Sequence, residues 1–244
     1  MAVRYDANTD KLTRTTTLPS ITSFTIMAWV YRSGTGGGDH EAVFSFGNAT
    51  SNYAAYVRSG PSLAVFSVTD WVTDFTGSAI VDATWYHLAM TVAGTGAGQL
   101  LGYMNGVLNC TGNGASITGS TLQCCSGPAG GTQEWYNGRM AALKVYGAVL
   151  TADELKAEMR SYLPVRTANL NTWSPLLASG DVGNYANTGA WTVGGTLATE
   201  DGPPIAWGIA PQRMRQRAAA VAALVSPQHT LYVVNQAVPR AAYI

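Results

Sequence analysis

The chain has 244 residues, of which 11% are charged, 14 of each sign, against about 25% in an ordinary soluble domain. Hydrophobic residues make up 47%, which excludes disorder of the kind driven by low hydrophobicity and high net charge. No apolar run approaches the ~20 residues a membrane-crossing helix needs, so membrane insertion is not expected, and with a formal net charge of zero neither is a nucleic-acid partner.

In place of charge the sequence uses 27 Gly, 27 Thr, 12 Tyr and 7 Trp, a vocabulary of strands and turns. One large β domain suits this length. Residues 1–6 lack the apolar stretch of a signal peptide, so folding in a reducing cytosol is expected. Three cysteines, Cys110, Cys124 and Cys125, are too few for a disulfide framework and read as free thiols. A Cys110–Cys125 bridge is the alternative and would need an oxidising setting.

The first strong strand is residues 24–31, apolar on both faces and therefore covered on both sides. A glycine run at 34–38 breaks it. Strands are then predicted at 42–46, 53–57, 63–68 and 84–92, the last with Trp85, His87 and Ala89 on one side and Tyr86, Leu88 and Met90 on the other. Residues 100–108 form a hairpin around Asn105-Gly106, the pair that supplies two positive-φ positions to a type I′ turn. Residues 110–131 read as a long loop with one short strand, and 139–146 as a strand. Thr151-Ala152-Asp153-Glu154 is a capping box opening a short helix whose apolar face is Ala152, Leu155, Met159 and Tyr162, closed by Pro164. The expected body is a β sandwich or barrel with this one helix.

Three segments, in order, resemble the concanavalin A-like superfamily, in particular the laminin G-like jelly roll. They are Ser23-Phe24-Thr25-Ile26-Met27-Ala28-Trp29-Val30; Trp85-Tyr86-His87-Leu88-Ala89 with Tyr103-Met104-Asn105-Gly106; and Tyr136-Asn137-Gly138-Arg139-Met140 through Val145-Tyr146 to Leu150-Thr151-Ala152-Asp153-Glu154-Leu155. The resemblance covers residues 3–163. It implies an all-β fold of two antiparallel sheets packed face to face, with sugar binding as a family activity. Ala141-Ala142 stands where relatives often carry an acidic pair, which weakens any metal or polar role for that strand.

Catalysis is not expected. Retaining glucanases of the superfamily carry a Glu-x-Asp-x-x-Glu strand whose two carboxylates lie about 5 Å apart. The five glutamates here, Glu41, Glu134, Glu154, Glu158 and Glu200, form no such motif. His87 reads as a structural histidine, and Asp39-His40-Glu41 as a solvated loop, the alternative being contact with a metal. The first ligand candidate is the loop holding Asp70, Trp71 and Asp74, an aromatic face beside carboxylate acceptors, which suits sugar hydroxyls and C–H faces. Its aspartates could also serve calcium; no other cofactor or metal is expected. Trp135-Tyr136-Asn137 is a weaker candidate of the same type.

Residues 1–204 are expected to form the body, with extra strands within 165–204. Residues 205–244 are expected to form a docking tail. All 14 acids lie in 1–201, whereas 202–244 carry Arg213, Arg215, Arg217 and Arg240 and no acid. A candidate helix after Pro211 would place Arg213, Arg215 and Arg217 at its N-terminus, where the dipole disfavours cations. Leu231, Tyr232, Val233 and Val234 read as a strand suited to a partner's sheet edge. The resulting expectation is a non-catalytic laminin G-like module on a large assembly, a phage capsid-decoration or tail component on a virion surface, held by its tail to a protein partner. The alternative is a free lectin-type module that binds glycans.

Overall fold

The computed structural model describes residues 1–15, 18, 20–37, 40–48, 52–58, 63–67, 79–126, 134–186 and 190–205, all within the unit Met1–Gly208. Among them are fourteen strands and one helix. These are β1 (Ala2–Tyr5), β2 (Lys11–Thr15), β3 (Phe24–Arg32), β4 (His40–Gly47), β5 (Asn52–Arg58), β6 (Leu63–Ser67), β7 (Trp85–Val92), β8 (Gly96–Met104), β9 (Val107–Gly114), β10 (Thr121–Cys124), β11 (Gly138–Tyr146), α1 (Ala152–Met159), β12 (Leu170–Ser174), β13 (Thr192–Gly194) and β14 (Ala198–Glu200). They build two antiparallel sheets. One has the order β14-β1-β11-β3-β7-β8-β9, with β12 also pairing β11. The other runs β13-β2-β10-β4-β5-β6. This is the expected all-β jelly-roll sandwich.

Period-2 alternation decides which side chains fill the space between the sheets. On β3, Phe24, Ile26, Ala28 and Val30 face inward; on β7, Leu88, Met90 and Val92 meet them; Phe44, Phe46, Tyr53 and Val57 come from the opposite sheet. Phe24 packs edge-on to Phe46 and Tyr53, at 5.4 and 5.3 Å between ring centres. The outer residues of β3 are covered as well. Met27 packs with Ala89, Tyr103, Tyr146, Leu150 and Leu155 under α1, and Trp29 donates its indole N–H to Met159 O at 2.9 Å. The run at 24–31 is apolar on both faces for that reason.

Asn105 (φ 51°) and Gly106 (φ 75°) make the expected turn. A side chain at Gly106 would also strike Lys156 Cγ, 2.6 Å from its Cβ position. The capping box forms as read: Glu154 N–H donates to Thr151 Oγ1 at 3.3 Å, and Thr151 N–H to Glu154 Oε2 at 2.8 Å.

The buried face of α1 differs from the predicted one. The helix ends at Met159, and its buried residues are Leu155 and Glu158. Glu158 meets Lys144 of β11, both side chains 1% exposed, at 2.7 Å. Lys144 Nζ also donates to Glu158 O, Ser161 O and Leu163 O, and Glu158 Oε1 accepts from Val165 N and Arg166 N. A charge buried this deeply is tolerated because its hydrogen-bonding capacity is filled. The pair ties the strand to the helix and to the turn that follows it.

Other boundaries shift. The segment 110–131 is less of a loop than expected, since β9 runs on to Gly114 and β10 joins β2 to β4. Strand β2 carried no signal strong enough to be predicted. The extra strands within 165–204 are β12, β13 and β14: β12 pairs β11, β13 extends one sheet beside β2, and β14 the other beside β1. Ala141-Ala142 marks a bulge in β11, with Ala142 at φ 52°. There β11 exchanges β1 for β12 as its neighbour, and small side chains let Tyr162 and Trp29 close over it. Cys110, Cys124 and Cys125 are buried free thiols, so the alternative bridge is absent.

Candidate functional site

The chain at 33–37, between β3 and β4, lies beside residues 134–137. Ser33 N–H donates to Asn137 O at 2.9 Å, Gly37 N–H to Trp135 O at 3.0 Å, and Ala42 N–H to Glu134 O at 3.0 Å. Asn137 Nδ2 adds a bond to Thr35 O at 3.2 Å. The glycine run has a specific purpose here. A Cβ at Gly36 would sit 2.3 Å from Trp135 O and 3.0 Å from Asn137 N. Only glycine lets the two backbones approach so closely.

Behind this rim Arg32 and Glu41 form a buried, two-point pair. Arg32 NH2 meets Glu41 Oε1 at 2.5 Å and Nε meets Oε2 at 3.3 Å, while NH1 reaches Asp82 at 2.7 Å. The hydrogen bond to Glu41 is the largest influence holding Arg32 protonated, against the cost of burial. Glu41 is therefore neither a solvated loop residue nor a metal ligand. It begins the buried part of β4 and is fully engaged. Among the described residues no group of three His, Cys, Asp or Glu side chains could hold a metal.

The rim also holds His40, Glu134 and Trp135, with Tyr56 buried beside them. His40 and Tyr56 come from neighbouring strands and meet edge to face at 5.9 Å. Tyr56 O–H points to Glu134 Oε2 at 3.4 Å. Burial pushes the Glu134 carboxyl above the usual range, with His40 and the Tyr56 hydroxyl opposing the shift. His40, Glu134 and Trp135 are all half-exposed. The cluster brings a carboxylate and an imidazole together beside the buried Tyr56, and Trp135 follows Glu134 in the chain.

The remaining glutamates are committed elsewhere: Glu41 to Arg32, Glu154 to Arg166 at 2.5 Å, Glu158 to Lys144, and Glu200 to Arg4 and Arg139. Glu134 has no lysine or arginine partner among the described residues.

Of the sequence candidates, Asp70, Trp71 and Asp74 lie outside the described residues, as do Arg213, Arg215, Arg217, Leu231, Tyr232, Val233 and Val234. In Trp135-Tyr136-Asn137 the middle residue belongs to the core and the outer two to the rim. His87 is structural, as read: it is buried, with its ring 5.6 Å from Trp29. Sequence reasoning missed the joining of His40, Tyr56 and Glu134. Their one visible signal was the proximity of Glu134 to Trp135.

The sequence profile of the concanavalin A-like lectin/glucanases superfamily matches residues 6–156. The chain belongs to that superfamily. Two solved structures share this superfamily domain's fold. The heptameric SAP-like pentraxin of Limulus polyphemus is 19% identical, with a TM-score of 0.51, over 64% of this chain and 79% of that one. A candidate carbohydrate-binding protein of Bacteroides ovatus is 17% identical, with a TM-score of 0.54, over 84% of this chain and 61% of that one. A search of curated protein sequences finds no match.

Proposed function

We propose that this superfamily domain is a non-catalytic carbohydrate-binding module, with His40, Glu134 and Trp135 forming its ligand-contacting rim beside the buried Tyr56. The observation that carries the reading is a single half-exposed carboxylate, Glu134, beside the half-exposed His40 and Trp135 and bonded by the buried Tyr56, next to a close backbone approach that only Gly36 permits. Such a set binds hydroxyls and C–H faces. Glycoside hydrolysis requires a second carboxylate, and among the described residues the other four glutamates are tied up in ion pairs. The superfamily match and the similarity to the Bacteroides ovatus protein support the ligand class. They lend nothing to the expectation of a virion component docked by residues 205–244.

The test is a glycan array followed by calorimetry on the best ligand. Glu134→Gln and Trp135→Ala are each expected to weaken binding at least about tenfold without lowering the melting temperature. If no glycan binds, or if both variants bind like the parent, the rim reading is wrong. The pair Trp71→Ala and Asp74→Ala tests the loop at 70–74 as an extension of the same site.

A further inference from the structure

The outer face of the eight-stranded sheet carries a second, separate set of groups. Register places Trp85 of β7 opposite Tyr31 of β3, Tyr31 opposite Arg139 of β11, and Arg139 opposite Arg4 of β1. Side chains directly opposite one another across antiparallel strands share a face, so these four make one continuous row. The Trp85 and Tyr31 rings lie 5.4 Å apart at 51°. The Arg139 guanidinium sits 4.4 Å from the centre of the Tyr31 ring. Glu200 of β14 joins the two arginines, at 2.6 Å from Arg139 NH2 and 2.6 Å from Arg4 NH1. The row ends in an open cavity of about 330 Å³ lined by Met1, Arg139, Thr199, Glu200 and Asp201.

Two features make this more than a surface ion pair. The groups are held yet reachable, with side-chain exposures of 21% for Arg139, 23% for Glu200 and 36% for Arg4. The Arg139 guanidinium is also oriented by two neighbours at once, the Tyr31 ring at 4.4 Å and Glu200 at 2.6 Å. We propose that this row and its cavity bind a neutral glycan, independently of the rim.

Charge selects the ligand. Arg4, Arg139 and the Met1 ammonium are set against three carboxylates, Glu200, Asp6 (3.3 Å from Arg4 Nε) and Asp201 at the cavity wall. An anion entering the cavity meets those carboxylates, and a cation meets two guanidiniums. A polyol pays neither cost, because each hydroxyl both donates and accepts. Glu200 and Asp201 accept, the arginines donate, and the half-exposed Trp85 ring offers a stacking face to sugar C–H groups. The cavity volume is at the lower end for small-molecule sites, ~300–1,000 Å³. The inference shares only its ligand class with the rim reading.

The experiment is a ¹H–¹⁵N titration of the full chain with cellohexaose, xylohexaose, mannohexaose and arabinohexaose, each to 10 mM by design, with polygalacturonate as the anionic comparison. At least one neutral oligosaccharide is expected to shift the amides of Tyr31, Trp85, Thr199, Glu200 and Asp201 and the Trp85 indole N–H. Glu200→Gln should weaken that response at least about tenfold and leave shifts at residues 134–137 unchanged; Glu134→Gln should do the reverse. Arg139→Lys keeps the charge over Tyr31 but gives up the fork, and carries the same expected loss if Glu200→Gln proves unstable. Shifts confined to the rim overturn this inference and leave the rim reading standing. Shifts confined to the row support it and overturn the rim reading. No response to any neutral oligosaccharide, or a response at the row to polygalacturonate alone, also overturns it.

Discussion

Burial of the His87 ring, with the Lys144 ammonium adding repulsion, lowers its pKa from 6.5 to about 3. The native protein therefore holds His87 neutral at pH 5, whereas the unfolded chain protonates it. The unfolded state binds the extra proton, so stability from this residue is complete above pH 6.5 and falls as the pH drops towards 3. The slope is about 1.4 kcal/mol per pH unit. Between pH 7.5 and 4.5, two of those units apply, and His87 alone should cost about 3 kcal/mol. His87→Phe removes the titration while keeping a ring against Trp29, and Nδ1 has no hydrogen-bond partner to lose in the described structure. The assay is urea unfolding followed by tryptophan fluorescence at several pH values across that range. Other groups titrate too, but they cancel in the difference between parent and variant. The gap between the two should narrow, or change sign in favour of the variant, by about 3 kcal/mol on acidification. Parallel pH profiles would refute the reasoning.

Lys144→Met should destabilise the fold by about 3–5 kcal/mol, because it strands the Glu158 carboxylate and three carbonyls in a dry site; thermal unfolding checks this. Gly36→Ala should leave the core intact but loosen the rim, since its Cβ would overlap Trp135 O. The expected readouts are faster exchange of the Gly37 and Ala42 amides and weaker glycan binding. Native Cys110, Cys124 and Cys125 should be inert to a thiol reagent at pH 8 and react only on unfolding. Burial pushes Cys110 up to about 11 and the other two higher still, and the thiolate is the reactive form.

Local rules were enough for the parts of this protein that are decided locally. The Asn105-Gly106 turn and the Thr151–Glu154 capping box involve partners within three residues, and both form as read. The two apolar faces of residues 24–31 announced a strand covered on both sides, and that strand lies at the centre of one sheet. The ordered similarity of these segments to a known superfamily then gave the sandwich itself.

What stayed hidden was set by pairing between strands far apart in sequence. Lys144 and Glu158 are 14 residues apart, and Tyr56 and Glu134 are 78 apart. Nothing in either local sequence says that the other will be present. Glu41 looked like part of a solvated loop because its neighbours are polar and glycine-rich, yet β4 places it against Arg32 inside the protein. The row Trp85–Tyr31–Arg139–Arg4 is spread over four strands, and a one-residue slip in any pairing would turn its members to the opposite face. The sequence by itself determined the class of fold, the turns and the cap, because those depend on periodicity and near neighbours. Register and packing alone decided which polar groups became buried pairs and which were left half-exposed where a ligand can reach them. Those choices minimise unpaired charge and void across the whole sandwich.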